Sequence, residues 1–89
     1  MLVSSETLVR LPDDVDLHAR PAAQLVRTAM RYTAAVTVFA GDRQADAKSL
    51  LAVLGLGARR GTQLRLRAEG REAAQAIDAL AACVGGFVE

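Results

Sequence analysis

The feature that most constrains the fold is an amphipathic segment from Leu17 to Tyr32. Its apolar side chains recur at the spacing that places them on one face of a helix. They are Ala22, Leu25, Val26, Ala29 and Met30. Pro21 predicts where this helix begins, because proline is tolerated in a first turn, where its missing N–H would have no intrahelical partner. The sequence therefore predicts a helix with one buried face that runs to about Tyr32.

The only histidine of the chain, His18, lies at or near the predicted N-cap of this helix. The amides of Ala19 and Arg20 would then be unpaired donors at the positive end of the helix dipole, where an anion is favoured. A ring nitrogen held there can act as a nucleophile toward an anionic group, of which phosphoryl is the obvious candidate. The Arg20 guanidinium can bind phosphoryl oxygens through paired hydrogen bonds. An isolated histidine is more often a solvent-exposed or capping residue without chemistry, but Arg20 and Pro21 at these offsets favour the acceptor.

The rest of the chain alternates between strand and helix patterns. Strands are predicted at Glu6–Leu11, Ala35–Ala40, Arg43–Ala47 and Thr62–Glu69. Further helices are predicted at Ser49–Leu54 and Arg71–Val84, with Gly85-Gly86 ending the second. The strand after Gly41-Asp42 is weak on propensity and is assigned because that pair is a hairpin signal with glycine first.

The order βαββαβα predicts an α+β fold, an open-faced β-sandwich in which three helices cover one face of a four-stranded antiparallel sheet. A chain of 89 residues is long enough for one small domain, which we expect to span residues 1–89. Hydrophobic residues make up 52% of the chain and aromatic residues 3%, so the core should be aliphatic.

Composition argues against several classes of function. A net charge of +1 and few aromatic residues disfavour nucleic-acid binding. Cys83 has no partner for an internal disulfide and is expected to be a small core residue. With one histidine and one cysteine, neither a zinc site nor a cofactor is predicted. No signal peptide is recognisable, and the longest uncharged apolar run is far short of the ~20 residues that cross a bilayer, so we expect a cytoplasmic protein without membrane insertion.

Three stretches, in order and covering essentially the whole chain, resemble one known family. They are Leu17-His-Ala-Arg-Pro-Ala-Ala23, Ala47-Lys-Ser-Leu-Leu51 and Leu56-Gly57. The chain resembles the histidine-containing phosphocarrier (HPr) family of the bacterial phosphoenolpyruvate-dependent sugar phosphotransferase system. The resemblance implies the strand order of that fold and a phosphocarrier rather than an independent enzyme, and we expect a monomer. It also implies that His18 accepts phosphoryl from enzyme I, through Nδ1, and donates it to enzyme IIA, with Ala19 and Arg20 binding the phosphate.

The resemblance also predicts a docking surface. Leu50, Leu51 and Leu54 lie on a helix too short to bury apolar side chains all round, so Leu51 and Leu54 are expected to face solvent or a partner. In the family this helix and the exposed side of the first one contact partners, which implies apolar anchors ringed by charged and polar side chains. The ring would consist of Arg20, Gln24, Arg27 and Lys48.

Ser49 has two interpretations. A serine that opens a short helix is commonly its N-cap. In the resembled family, a serine at this place is a regulatory phosphorylation site in some bacteria, which implies HPr kinase/phosphorylase and a transcription regulator as further partners. A phosphoryl group there would lie beside the docking leucines and repel an acidic partner.

The loop before His18 departs from the family pattern at two positions. Asp16 stands where the family usually has glycine, and Val15 where it often has asparagine or serine. A residue other than glycine can change the backbone of the loop, and a carboxylate near a phosphoryl group would repel it. Two alternatives to the carrier remain: a regulatory paralogue, nitrogen-related or Ser-phosphorylated, that acts by binding proteins, and more distantly a small module that binds RNA or a metabolite.

Overall fold

The computed structural model describes residues 3–88. The elements follow the predicted order βαββαβα, so the α+β fold class is confirmed. They are β1 (Ser4–Arg10), α1 (Ala19–Ala29), β2 (Ala35–Ala40), β3 (Arg43–Asp46), α2 (Leu50–Gly55), β4 (Gln63–Glu69) and α3 (Ala73–Gly85).

The strands form one antiparallel sheet in the order β1-β4-β2-β3. Strand β4 lies in its interior, where Arg67 pairs with Glu6 of β1 and Ala68 with Val36 of β2. Strands β2 and β3 form the predicted hairpin, with Ala40 opposite Arg43. Gly41 has a φ of +62°, which glycine adopts without the steric cost of a Cβ.

The two faces of the sheet differ in chemistry. Leu64, Leu66 and Ala68 of β4 are buried under the helices, as their alternation predicts, in an aliphatic core. The opposite face is not covered by the helices and carries charged side chains together with Leu8 and Phe39. There the Arg65 guanidinium binds Glu6 at 2.7 Å and stacks 3.8 Å from the centre of the Phe39 ring. His18 belongs to the helix-covered side of the sheet, because it is the N-cap residue of α1.

Helix α1 is shorter than predicted and ends at Ala29 rather than near Tyr32. Beyond it, the amides of Arg31 and Tyr32 bond to carbonyls three residues back, which tightens the turn. Met30 therefore falls outside the buried stripe in which the sequence pattern placed it, and 65% of its surface is exposed.

The assignment of exposed leucines on α2 is half right. Leu51 is 83% exposed, as predicted, but Leu54 is half-buried and packs against the core. Leu50 is the second exposed leucine, at 41%. The difference arises because α2 is packed between α1 and β3, so its inner surface is wider than a single turn of sequence indicates.

Helix α3 begins two residues later than predicted, because Glu72 has a φ of +63°. The left-handed conformation of this N-cap residue cannot continue a helix. Its carboxylate accepts hydrogen bonds from the N–H and Oγ1 of Thr33, at 2.9 and 3.1 Å. At the other end of the helix, Cys83 is half-buried against the core and accepts a bond from Thr28 Oγ1 at 3.6 Å, in agreement with its expected packing role.

The hydrogen bonds from Thr33 to Glu72 predict that the free energy of unfolding depends on pH. They hold the pKa of Glu72 below its usual value. The stabilisation by the ionised carboxylate is therefore fully present above the unfolded pKa of about 4.3, and it is lost as the pH falls through the folded pKa. We expect wild type to exceed Glu72→Gln in free energy of unfolding at neutral pH, with the difference disappearing in acid.

Urea unfolding over a series of pH values checks this expectation, with Asp78→Asn as a control on the exposed side of the same helix. A wild-type advantage over Glu72→Gln that stays constant into acid would show that the carboxylate charge contributes nothing.

Candidate functional site

His18 is the N-cap residue of α1, as predicted. Its backbone is extended, with φ −117° and ψ −162°, and its carbonyl accepts the first helical bond from Ala22 N–H at 2.8 Å. The imidazole is exposed and makes no capping bond to the helix. Pro21 is buried in the first turn, where it anchors the helix start. The main chain of His18 is thus held by the helix start, whereas its ring nitrogens make no capping bond to the helix.

The loop that ends at His18 is anchored by three apolar side chains. Leu11, Val15 and Leu17 are buried, whereas the aspartates between them are exposed. The Leu17 N–H donates to the carbonyl of Ala58 at 2.9 Å, which ties this loop to the one after α2. Val15 is accordingly a core residue here, which accounts for an apolar side chain at a position where the family often has a polar one.

The amides beside the ring are available as donors. Among residues 3–88, nothing accepts a hydrogen bond from the N–H of Ala19 or of Arg20. The first turn of α1 contains no acidic side chain to neutralise the positive end of the dipole. The unpaired amides and the uncompensated helix dipole together favour the binding of an anion next to His18.

Two open cavities have His18 and Asp16 in their linings. One, of about 220 Å³, is lined by Asp16, His18, Ala19, Arg20, Pro21 and Val88. The other, of about 300 Å³, is lined by Asp16, Leu17, His18, Leu54, Gly57, Ala58 and Arg59. Arg20 is exposed and, within the described part of the chain, forms no salt bridge, so its guanidinium is free for a ligand.

The structure places Asp16 in an ordinary backbone conformation. Glu72 is the only non-glycine residue with a positive φ between residues 3 and 88, so this loop does not need glycine at position 16. The Asp16 Oδ1 accepts a hydrogen bond from the Arg60 N–H at 2.8 Å. The carboxylate therefore has a structural partner, although it also lines both cavities beside His18.

The polar residues predicted to surround the docking leucines have different local surroundings. Gln24 and Arg27 line an open groove between α1 and α3, together with Thr28 and Cys83. Lys48 is half-buried, and its Nζ donates to the carbonyl of Tyr32 at 2.7 Å. That bond joins the loop after α1 to the start of α2. Met30, which the sequence pattern assigned to the core, is exposed at the end of α1.

Ser49 caps α2, in agreement with the simpler of its two interpretations. Its Oγ accepts a hydrogen bond from the Ala52 N–H at 3.3 Å. The residue is half-buried between Lys48 and the exposed Leu50.

Loss of this cap is expected to destabilise the fold. Ser49→Ala leaves the Ala52 amide without its partner, so the free energy of unfolding should fall by about 1 kcal/mol. Urea denaturation measures the difference, and Ser49→Asp is the matched control because aspartate also caps helices. An alanine variant as stable as wild type would show that the 3.3 Å contact contributes nothing in solution.

The described residues hold no group of three or more His, Cys, Asp or Glu side chains arranged to bind a metal ion. Over the same 3–88 range, every helix is too short or too polar to cross a membrane.

The fold and the site together define a class: small α+β domains that present an exposed histidine at the N-terminus of a helix. Comparison with known proteins is more specific. Residues 5–85 match the family model described as "PTS HPr component phosphorylation site". Phosphocarrier protein HPr of Lysinibacillus sphaericus is 42% identical over 69 residues, which cover 78% of each chain.

Solved structures and longer proteins agree. The crystal structure of HPr-C-His from Thermoanaerobacter tengcongensis superimposes with a TM-score of 0.86 at 32% identity, covering 91% of each chain. A multiphosphoryl transfer protein of Haemophilus influenzae is 42% identical over 82 residues, which are 89% of this chain and 16% of that protein. The chain belongs to the HPr family, and it is a phosphocarrier of the phosphotransferase system.

Proposed function

We propose that His18 accepts a phosphoryl group from phosphorylated enzyme I and passes it to a sugar-specific enzyme IIA. The observation that carries the proposal is the exposed imidazole at the N-cap of α1, next to the unpaired amides of Ala19 and Arg20. These amides and the Arg20 guanidinium bind the phosphoryl oxygens. Family membership supports the assignment, because the family model that matches residues 5–85 is described as a phosphorylation site of the HPr component.

The covalent bonds that form and break in the transfer involve only the phosphorus atom and the two imidazoles. The lone pair of a His18 ring nitrogen, Nδ1 by family resemblance, forms a bond to phosphorus as the bond from phosphorus to the donor histidine breaks. The donor nitrogen keeps the electron pair of the broken bond. The proton on the other nitrogen of His18 stays in place, so the phosphorylated ring can give the group away by the reverse steps. Partner docking supplies the alignment that lowers the barrier.

A relay assay tests this function. The protein is incubated with labelled phosphoenolpyruvate and enzyme I of an HPr-containing bacterium, and enzyme IIA is then added. We expect label that is acid-labile, as a phosphorus–nitrogen bond is, first on this chain and then on enzyme IIA. Label that is stable to acid, or label that stays on the chain after enzyme IIA is added, would contradict the carrier role.

We further propose that partners dock on the apolar side chains of α2, namely Leu50, Leu51 and the half-buried Leu54. Leu51 is 83% exposed and lies on α2. The loop that follows α2 is bonded to the residue before His18, through the Leu17 N–H and the Ala58 carbonyl. Arg20 and Arg27 lie on α1, which packs against α2, and their positive charge suits an acidic partner. The bonding of Lys48 to Tyr32 makes this lysine a support for the surface more than a contact on its rim.

The docking surface predicts the effect of a charged substitution. Leu51→Glu is expected to raise the KM for transfer from enzyme I at least about tenfold, because burial of a leucine contributes about 1.5–3 kcal/mol. The control is Leu8→Glu, since Leu8 is 60% exposed on the open face of the sheet, opposite Arg65, where glutamate is compatible with its neighbour. Equal KM values for the two variants would exclude α2 from docking.

The remaining elements of the proposal rest on the family. The chain acts in the cytoplasm as a single monomeric domain over residues 1–89. Ser49 is a further phosphorylation site for HPr kinase/phosphorylase, and its modification would control binding to a transcription regulator. Treatment with that kinase and ATP tests the serine directly: acid-stable phosphate on Ser49 is expected, and its absence would leave Ser49 as a helix cap alone. None of the similarities found favours the regulatory paralogue over the carrier.

A further inference from the structure

Two hydrogen bonds hold the loop after α2 on either side of Arg59. The Ala58 carbonyl, just before it, accepts from Leu17 N–H at 2.9 Å. The Arg60 amide, just after it, donates to Asp16 Oδ1 at 2.8 Å. Both partners belong to the loop that ends at His18. The backbone of Arg59 is therefore clamped to that loop at both neighbouring residues.

The course of the chain brings Arg59 to the imidazole. Gly57 has a φ of +61°, a conformation that side-chain-bearing residues rarely adopt, and it turns the chain from α2 back toward the His18 loop. Arg59 and His18 then line the same cavity of about 300 Å³, which is distinct from the cavity that His18 shares with Arg20 and Val88. Gly57 and the clamp together place a second arginine beside the ring.

The Arg59 guanidinium has no competing partner in the described structure. It is exposed, and no carboxylate between residues 3 and 88 forms a salt bridge with it. A guanidinium remains charged at all ordinary pH values and matches the geometry of phosphoryl oxygens. The Asp16 carboxylate at the same cavity adds a negative charge that a phosphoryl group must tolerate, and Arg59 offsets it.

We propose that Arg59 binds the phosphoryl group carried by His18 from the second cavity, which Arg20 does not line, and that Asp16 is the positioning residue that holds Arg59 there. The inference rests on the proposed function of His18. It assigns a role to the aspartate that stands at a usual glycine position: its carboxylate fixes the loop that presents the second guanidinium. The phosphoryl oxygens are thus held between two arginines and the amides of Ala19 and Arg20.

The test compares Arg59→Ala with Arg60→Ala. Both remove an exposed arginine, but Arg60 lines neither cavity, and its backbone amide can still donate to Asp16 in the variant. We expect Arg59→Ala to shift the phosphoryl equilibrium with enzyme I about two- to fivefold toward the unphosphorylated protein, the range for an exposed charge pair. Arg60→Ala should leave the equilibrium unchanged. Equal shifts in both variants would overturn the proposal.

Phosphorus NMR supplies a readout that a structural role would not move. A nearby cation favours the dianion and lowers the pKa of the phosphoryl group. That pKa should therefore be higher in phosphorylated Arg59→Ala than in wild type or Arg60→Ala, and Arg59→Lys should restore most of the difference. A phosphoryl pKa that is the same in all four proteins contradicts binding by Arg59.

The clamp is tested by a pair of substitutions at position 16. Asp16→Asn and Asp16→Ala both remove the negative charge, but only asparagine keeps an oxygen that can accept from the Arg60 amide. The asparagine variant should hold the phosphoryl group more strongly than the alanine variant, and equality of the two would refute the positioning role. Failure of wild type to become phosphorylated at His18 would instead refute the underlying function, so the two outcomes are distinguishable.

Discussion

Replacing His18 with alanine is expected to abolish phosphoryl acceptance from phosphorylated enzyme I. The imidazole is exposed and makes no capping bond to α1, so its removal takes away the nucleophile and leaves the packing of the fold unchanged. The helix start is anchored independently, by the buried Pro21 and by the bond from Ala22 N–H to the carbonyl of residue 18. Phosphoryl acceptance should therefore be lost completely, while the stability of the fold is unchanged.

Labelling with phosphoenolpyruvate and enzyme I measures this loss. The control is Ser49→Ala, which removes the other residue considered for phosphorylation and should still be labelled by enzyme I. Thermal unfolding of His18→Ala should match wild type closely. Acid-labile label on a folded His18→Ala protein would show that another residue accepts the group.

Removal of the Arg20 guanidinium is expected to have the next largest effect. Arg20 lines the cavity beside His18 and, among the described residues, has no ion-pair partner to lose. A hydrogen bond to a charged group contributes about 1.5–3 kcal/mol, so Arg20→Ala should slow transfer about ten- to hundredfold. The transfer rate of Arg20→Lys should lie between those of Arg20→Ala and wild type, because lysine keeps the charge but not the paired hydrogen-bond geometry.

Rapid-quench kinetics with enzyme I give the rate constants for these variants. Arg31→Ala is the matched control, since Arg31 is exposed beyond the other end of α1 and lines the groove toward α3. Its transfer rate should equal that of wild type. If Arg20→Ala and Arg31→Ala slow transfer to the same extent, the effect is one of general positive charge, and Arg20 has no particular role at the phosphoryl group.

Local sequence rules were sufficient for the centre of the site. Proline in a first turn determines where α1 begins, which places His18 at the N-cap without knowledge of any distant contact. The alternation in β4 and the glycine of the β2–β3 hairpin are equally local, and both predictions are confirmed. These features depend on residues no more than a few positions apart.

The sequence predictions fail where the burial or position of a residue depends on contacts with distant parts of the chain. Met30 fits the helical stripe, but α1 ends before it and leaves it exposed. Leu54 is half-buried because α2 lies between α1 and β3. The position of Arg59 beside His18 depends on hydrogen bonds that span more than forty residues, such as that from Arg60 to Asp16, so no local pattern could indicate it.

The most direct test of the account is nitrogen and phosphorus NMR of the uniformly nitrogen-labelled protein after reaction with phosphoenolpyruvate and enzyme I. We predict a single phosphoryl group, with phosphorus–nitrogen coupling to the Nδ1 of His18 and amide shifts concentrated at Ala19 and Arg20. Phosphorus bound to any other residue, or an imidazole whose signals do not change on reaction, would contradict the assignment of His18 as the carrier.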